Sequence, residues 1–383
     1  MRHNQFVNDC APAPIAEAWS WVKDPDSPEL LNLCQAVPAH LPPQSLLDHI
    51  GAAVARGEGA TYTDIAGIAP LRDALASNIN ELYRGDVAAD DIMMTAGCNQ
   101  AFCAAIDALC QEGDEVILPL PYYFNHAMWL SIRGLNVRDI PFDPGSPEPS
   151  VDVAASLISP RTRAIVLVSP NNPTGARYSV ECLKNFFALA KKNNVALIID
   201  ETYRDFIDES ITPHTLFQRS DWRDHFVHLY SFSKVFALTG HRVGAIATGE
   251  KFREQLEKVQ DCVAINAPHL GQIAALYGLQ NLDQWKREKA QELIEKAVAI
   301  KTAFEHSDLK YKLVSSGAYF AYVEHPFNDT AHAVAKRLAS EFELICLPGT
   351  YFGAGQENYL RFAFANLSKE KFASVVERLI KSQ

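Results

Sequence analysis

Short apolar runs alternate with longer stretches of helical period through the middle of the chain. DIMMT (91–95) precedes NQAFCAAIDALC (99–110), and EVILP (115–119) precedes an aromatic-rich segment opening at Pro121. AIVLV (164–168) precedes SVECLKNFFALAKKNN (179–194), and VALIID (195–200), FVHLY (226–230) and GAIAT (244–248) follow. These runs are apolar throughout rather than alternating, which is the pattern of strands covered on both faces. Strand and helix alternating over this length predict an α/β fold, an open sheet with helices on both sides. Near residue 268 the texture changes. A charged helical pattern, DQWKREKAQELIEKAVAIKTAFEH (283–306), leads to shorter strands, YKLV, AYFAYV, ELICL and YLRFAF. An amphipathic helix, SKEKFASVVERLIKS (368–382), closes the chain. The second part therefore reads as a smaller α+β unit. No repeat, low-complexity tract or Gly/Ser linker separates the two, so the boundary is a helix or a tight loop.

Composition narrows the function classes. A chain of 383 residues is long enough for two or three domains. A net charge of -11, with Lys and Arg scattered, argues against a nucleic-acid-binding face. No apolar run approaches the roughly 20 residues needed to cross a bilayer, and the N-terminal stretch lacks an apolar signal core. The eight cysteines show no CxxC spacing and read as reduced thiols of a cytoplasmic protein, with no metal implied. His225 and His228 form an HxxH pair on a strand pattern, without HExxH, and read as structural.

In open α/β sheets ligands bind beyond the carboxyl ends of the strands, so the residues after each run carry the candidate chemistry. After DIMMT, Ala96-Gly97-Cys98-Asn99 opens a helix. Free N–H groups there suit an anion such as phosphate, or the glycine serves simply as a turn. After EVILP, the aromatics of PLPYYFNHAMW suit either core packing or stacking on a flat ring. After AIVLV, Asn172-Pro173-Thr174-Gly175 is a turn that can aim the Asn amide. Asp200 ends a buried run and needs a partner, because unpaired burial of a carboxylate is costly. A salt bridge, a helix cap or a cationic ring nitrogen would serve. After FVHLY, the stretch YSFSKVFALTGHRVG (230–244) holds Ser231, Ser233 and Arg242, suited to an anion cup, and Lys234. A lysine beside small hydroxyls and a buried strand has a lowered pKa and suits Schiff-base chemistry. Together these segments list the needs of one molecule: a phosphate, a flat ring, a ring nitrogen, a ring hydroxyl and an aldehyde. That molecule is pyridoxal phosphate.

With these motifs in this order, the sequence resembles the class I/II aminotransferases, pyridoxal-phosphate enzymes of fold type I, from NLCQAVP (32–38) to YLRFAFA (359–365). The resemblance implies a large domain (45–270) whose mostly parallel seven-stranded sheet is sandwiched by helices. It implies a smaller α+β domain built from 1–44 and 271–383. Lys234 looks like the Schiff-base lysine, Asp200 like the partner of the pyridinium nitrogen, and Tyr203 and Asn172 like the partners of the ring oxygen. Tyr123 looks like the ring-stacking aromatic. Gly97, Cys98, Asn99, Ser231, Ser233 and Arg242 resemble the phosphate cup. Tyr62, in ATYTDIAGIAPLR, resembles the tyrosine that reaches a neighbouring subunit's phosphate, which implies a homodimer. Arg361, in YLRFAF, resembles the arginine that clamps the substrate carboxylate, with Asn172, Ala36 and Val37 beside it. The implied activity is ping-pong transfer of an amino group from an L-amino acid to a 2-oxo acid, with Lys234 moving the α-proton.

The sequence departs from the commonest family pattern in places. His241 stands where a Trp is frequent, Cys34 and Ala36 where glycines are, and Ser316 where a Pro is. Bulk at 34 and 36 trims the substrate side. Asn99 stands where an aspartate-specific branch carries a lysine, so a neutral or aromatic donor is expected rather than aspartate. Two rival activities use the same lysine and carbanion, carbon–sulfur β-elimination and aminocyclopropane-carboxylate synthesis. A transcriptional regulator of this fold would need a DNA-binding head, and a nucleotide enzyme a GxGxxG after the first strand. Neither pattern is present in the sequence.

Overall fold

The computed structural model describes residues 1–208 and 210–383. A short strand, β1 (Leu31–Asn32), precedes a seven-stranded sheet made of β2 (Ile92–Thr95), β3 (Glu115–Pro119), β4 (Asn136–Ile140), β5 (Thr162–Val168), β6 (Ala196–Asp200), β7 (Phe226–Ser231) and β8 (Gly244–Ala247). The spatial order is β2-β8-β7-β6-β5-β3-β4. All neighbours are parallel except β8, which runs antiparallel to both β2 and β7. A continuous apolar run marks two-sided burial but not direction, so the sequence alone could not have shown that GAIAT reverses.

Side chains alternate between the two faces. Ile117, Ile165, Leu167, Leu197 and Ile199 enter one cluster, with Leu75 and Ile79 of helix Ala69–Tyr83 and Phe186 and Phe187 of helix Val180–Asn193. Val116, Leu118, Val166 and Ile198 enter another, with Phe102 and Ile106 of helix Cys98–Leu109. The helix Val180–Asn193 shows why these segments fold locally. Ser179 caps it by accepting from Cys182 N, Glu181 lies in its first turn, and Lys191 and Lys192 lie in its last. Those charges complement the helix dipole.

The second assembly is a four-stranded antiparallel sheet of β9 (Lys312–Gly317), β10 (Phe320–Glu324), β12 (Leu347–Pro348) and β13 (Tyr359–Phe362). Its core joins Phe320, Val323, Leu360 and Phe362 to Val334 and Leu338 of helix Ala331–Phe342 and Leu293 and Ile300 of helix Asp283–Ala303. β11 (Leu344–Ile345) leaves this sheet and pairs in parallel with β1. The run ELICL, read as one strand, is therefore two, serving two sheets. β4, with the sequence NVRDI, was missed because it is an edge strand with Asn136, Arg138 and Asp139 exposed. Among the described residues no helix is long and apolar enough to cross a membrane.

Candidate active site

The carboxyl ends of β2, β5, β6 and β7 lie side by side in the sheet, with β8 between β2 and β7. A cavity of about 150 Å³ at these ends is lined by Cys98, Asn99, Tyr123, Asn172, Asp200, Tyr203, Ser231, Ser233, Lys234 and Arg242. All ten were singled out in the sequence. Val168 and Thr202 also line it and were not.

Beyond β2, Gly97 (φ 87°) precedes the helix Cys98–Leu109. A Cβ at Gly97 would lie 2.3 Å from Arg242 Nη2, so the close approach of guanidinium and turn needs glycine. Arg242 donates to Thr239 O (2.9 Å) and to Ala96 O (3.1 Å), which ties the loop after β7 to the loop after β2. Ser231 Oγ caps the short helix Phe232–Val235 by accepting from Ser233 N at 3.1 Å. The unbonded N–H groups at the start of Cys98–Leu109, these hydroxyls and Arg242 make a concave, positive, donor-rich surface.

Asp200 ends β6 and is 4% exposed. Its Oδ1 accepts from Thr202 N (3.0 Å) and Thr202 Oγ1 (2.7 Å). Its Oδ2 lies 3.4 Å from His126 Nε2. Burial alone would raise this carboxyl, but His126 and the Thr202 bonds outweigh it and hold Asp200 below the usual range. His126 was not foreseen. It sits three residues after Tyr123, one helical turn along the same face, and stacks on Phe102 at 3.9 Å. The i+3 spacing in YYFNH was the available signal. Thr202, two residues after a strand-ending Asp, had one too, since such hydroxyls fold back on a carboxylate.

Lys234 Nζ donates to Ala36 O at 2.5 Å. Burial pushes its amine down to about 8, and Arg242 and Arg361 press in the same direction. Only a neutral amine attacks an aldehyde. Capture of an aldehyde by the cofactor-free protein should therefore quicken with pH, roughly tenfold per unit, and level off above about 8. Stopped-flow absorbance from pH 6 to 10 reads this directly, and a profile that still climbed steeply near pH 10 would rule it out.

Arg361 is 2% exposed on β13 and has no carboxylate partner among the described residues. Its Nη1 donates to Asn172 Oδ1 at 3.2 Å and its Nη2 to Cys34 O. Phe320 and Phe352 flank it at 5.0 and 5.3 Å. A buried guanidinium bonded only to neutral oxygens is a receptor for an anion. Ala36 and Val37 are brought to the same region through Lys234 and the strap they belong to. Tyr62 is not brought to this cavity; it is 76% exposed.

Behind Asp200 lies a second buried carboxylate. Glu201, 1% exposed, accepts from Tyr83 Oη, and His228 Nε2 and His214 Nε2 stand 2.9 and 3.3 Å from its Oε2. Burial would raise it, but the two histidines overcome that and hold its carboxyl well below the ordinary range. His228 thus has a structural partner, while His225 ends the helix Trp222–His225. Glu201→Ala should destabilise the fold by about 3–5 kcal/mol, because it strands the groups gathered around a buried charge. Urea unfolding measures this, and a loss below about 1 kcal/mol would show the cluster to be incidental.

Comparison with known proteins agrees with this architecture. Residues 28–379 match the family profile described as aminotransferase class I and II. The chain is 29% identical to an aromatic aminotransferase of Arabidopsis thaliana over 361 residues, 92% of this chain and 89% of that protein. It is also 29% identical to an aspartate aminotransferase of Thermotoga maritima, with the same shares covered. Its fold superimposes on the aspartate aminotransferase of Thermus thermophilus with maleate with a TM-score of 0.89, at 25% identity and covering all of both chains. A methionine aminotransferase from Escherichia coli shares the fold at a TM-score of 0.90 and 22% identity, again over all of both chains. From the apolar strands to the lysine beyond β7, and with the family profile matched over nearly its full length, this chain belongs to the class I and II aminotransferases, which use pyridoxal phosphate.

Proposed function

We propose that Lys234, Asp200 and Arg361 carry the transfer of an amino group from a neutral or aromatic L-amino acid to a 2-oxo acid. The observation that supports this most is their convergence: one amine of lowered pKa, one buried anion at a strand end, and one buried cation without a carboxylate. The residues fit the cofactor. The glycine cradle at Gly97, the hydroxyls of Ser231 and Ser233, the Cys98 and Asn99 N–H groups and Arg242 suit its phosphate. Tyr123 flanks the cavity where a flat ring would lie, and Tyr203 and Asn172 can bond a ring oxygen.

Bound pyridoxal phosphate supplies an aldehyde to receive the amino group and a ring to take up the electron pair left at the α-carbon. Asp200, kept anionic by His126 and Thr202, would hold a proton on the ring nitrogen. Lys234 Nζ takes the α-proton and returns it elsewhere, a task matched to an amine titrating near pH 8. Arg361, steadied by Asn172, fixes the α-carboxylate with two N–H groups. Ala36 and Val37 border the substrate. Asn99 accepts from Tyr123 Oη at 3.3 Å and offers no charge to a second carboxylate, which supports the neutral donor. The exposed Tyr62 suits a role across a homodimer interface, at the neighbouring phosphate. We further take 45–270 as one domain and 1–44 with 271–383 as the other, with helix His269–Asn281 crossing that boundary to place Ala274 and Ala275 in the core of the first, and the protein as cytoplasmic.

The test is a half-reaction without any 2-oxo acid acceptor. Purified protein is loaded with cofactor and mixed separately with L-phenylalanine, L-methionine and L-aspartate. One equivalent of 2-oxo acid should form, faster from phenylalanine or methionine than from aspartate. Aspartate reacting fastest would refute the substrate assignment. Ammonia accumulating over many turnovers would replace transfer with elimination.

A further inference from the structure

Resting on that reading, we propose that Asn366 is the positioning residue for the substrate-side strap Cys34–Val37, and that it acts independently of Lys234 and Arg361. The strap follows β1 and carries two backbone carbonyls that the site's own cations hold. Arg361 donates to Cys34 O and Lys234 to Ala36 O. Both cations have work elsewhere, one on a carboxylate and one on an aldehyde and a proton. Each bond they make to the strap competes with that work. A third side chain holds the strap without this conflict.

Asn366 Nδ2 donates to Gln35 O and to Asn32 O (3.3 Å), and its Oδ1 accepts from Val37 N at 3.0 Å. Two carbonyls and one amide converge on a single side chain. That set is the complement of a carboxamide: an aspartate could accept from Val37 but donate to neither carbonyl, and a serine has one proton to give. The three contacts also fix which end of the amide is oxygen. Asn366 bonds neither Lys234 nor Arg361, so its grip persists whatever those two are holding.

The surroundings suit an anchor. Asn366 ends the 3₁₀ turn Phe364–Asn366, four residues beyond the end of β13, the strand that carries Arg361. The flanks are pinned: Ala363 N donates to Leu33 O at 2.8 Å, and Lys296 Nζ to Ala365 O at 3.1 Å. One short segment thus presents the guanidinium for the substrate and the carboxamide that sets the wall beside it. A strap that drifts would present Ala36 and Val37 wrongly to the bound amino acid. It would deprive Lys234 only of Ala36 O, a bond the working amine gives up in any case, and would leave Asp200 where it is. The cost therefore falls on substrate binding more than on chemistry.

The experiment uses cofactor-loaded full-length protein and whichever of L-phenylalanine, L-methionine and L-aspartate reacts fastest with the wild type. Asn366→Ala should raise KM about tenfold and change kcat by no more than about twofold. Amide exchange at Val37, read by NMR or mass spectrometry, should quicken at least about tenfold as its acceptor is lost. Asn366→Asp separates the two functions of the amide. It should raise KM as much as alanine does, because both donors are gone, yet keep Val37 protected. An unchanged KM in both variants, even with a lowered Tm, would overturn the proposal and leave Asn366 a fold residue. Unchanged Val37 exchange in Asn366→Ala would overturn it equally. If Asn366→Ala fails to fold, the KM of Asn366→Asp decides alone. A wild type that converts none of the three amino acids would instead overturn the neutral-or-aromatic donor reading on which the proposal rests.

Discussion

Lys234→Ala should abolish amino transfer, with turnover falling by at least about 10⁴-fold, since the change removes both the nucleophile and the proton carrier. Among the described residues no other lysine lines the cavity. The loss should be accompanied by disappearance of the visible absorption of a lysine Schiff base, and borohydride should no longer fix the cofactor to the chain. Lys234→Arg should not rescue. It preserves the charge, but a guanidinium does not deprotonate at working pH and cannot take the α-proton. The fold should survive both changes, because Lys234 bonds only Ala36 O and its burial already disfavours the charged form. A Lys234→Ala protein that retained turnover within a hundredfold of wild type would refute the assignment.

Asp200→Asn comes next in size, with kcat/KM falling about 10³-fold, the scale of losing one preorganised charge in a buried site. Asparagine has the same shape, and its oxygen can still accept both Thr202 bonds. The amide nitrogen would then face His126 and the ring nitrogen, with no negative charge to keep a proton there. The difference isolates charge from packing. Stability to urea should move little while the half-reaction slows, and the cofactor should be held more weakly. A rate within tenfold of wild type would show that Asp200 is not the counter-charge.

The strands of the central sheet and the residues just past them were legible because burial on both faces leaves an unmistakable run, and chemistry collects at the ends of such runs. Asp200 could be recognised as a carboxylate in the wrong place, and Lys234 as a lysine in apolar company. What escaped the sequence was relational. β4 reads as polar because an edge strand is only half covered. ELICL looked like one strand because nothing local shows that Cys346 separates partners in two sheets. His126 joined the site only through a helical turn that brings it back to Asp200, and the Glu201 cluster gathers Tyr83, His214 and His228 from far along the chain. Asn366 had no signal in the sequence, since its partners lie more than 300 positions away.

Gly97 also bears on the order in which this chain can change. A methyl group there would push aside the tip of Arg242, a flexible group that yields easily in space. Yielding would break its bond to Ala96 and withdraw the charge that binds the loops. Alanine at 97 is strained at φ 87° whatever stands at 242, and the contact with the guanidinium adds to that cost only while arginine stands there, a dependence that a double-mutant cycle would register as partial non-additivity. Arg242 itself sits at φ 50°, a left-handed backbone that gives it little room to compensate. Loss of arginine at 242 therefore lifts only part of the demand for glycine at 97, so across diverging descendants of this sequence the glycine should outlast the arginine.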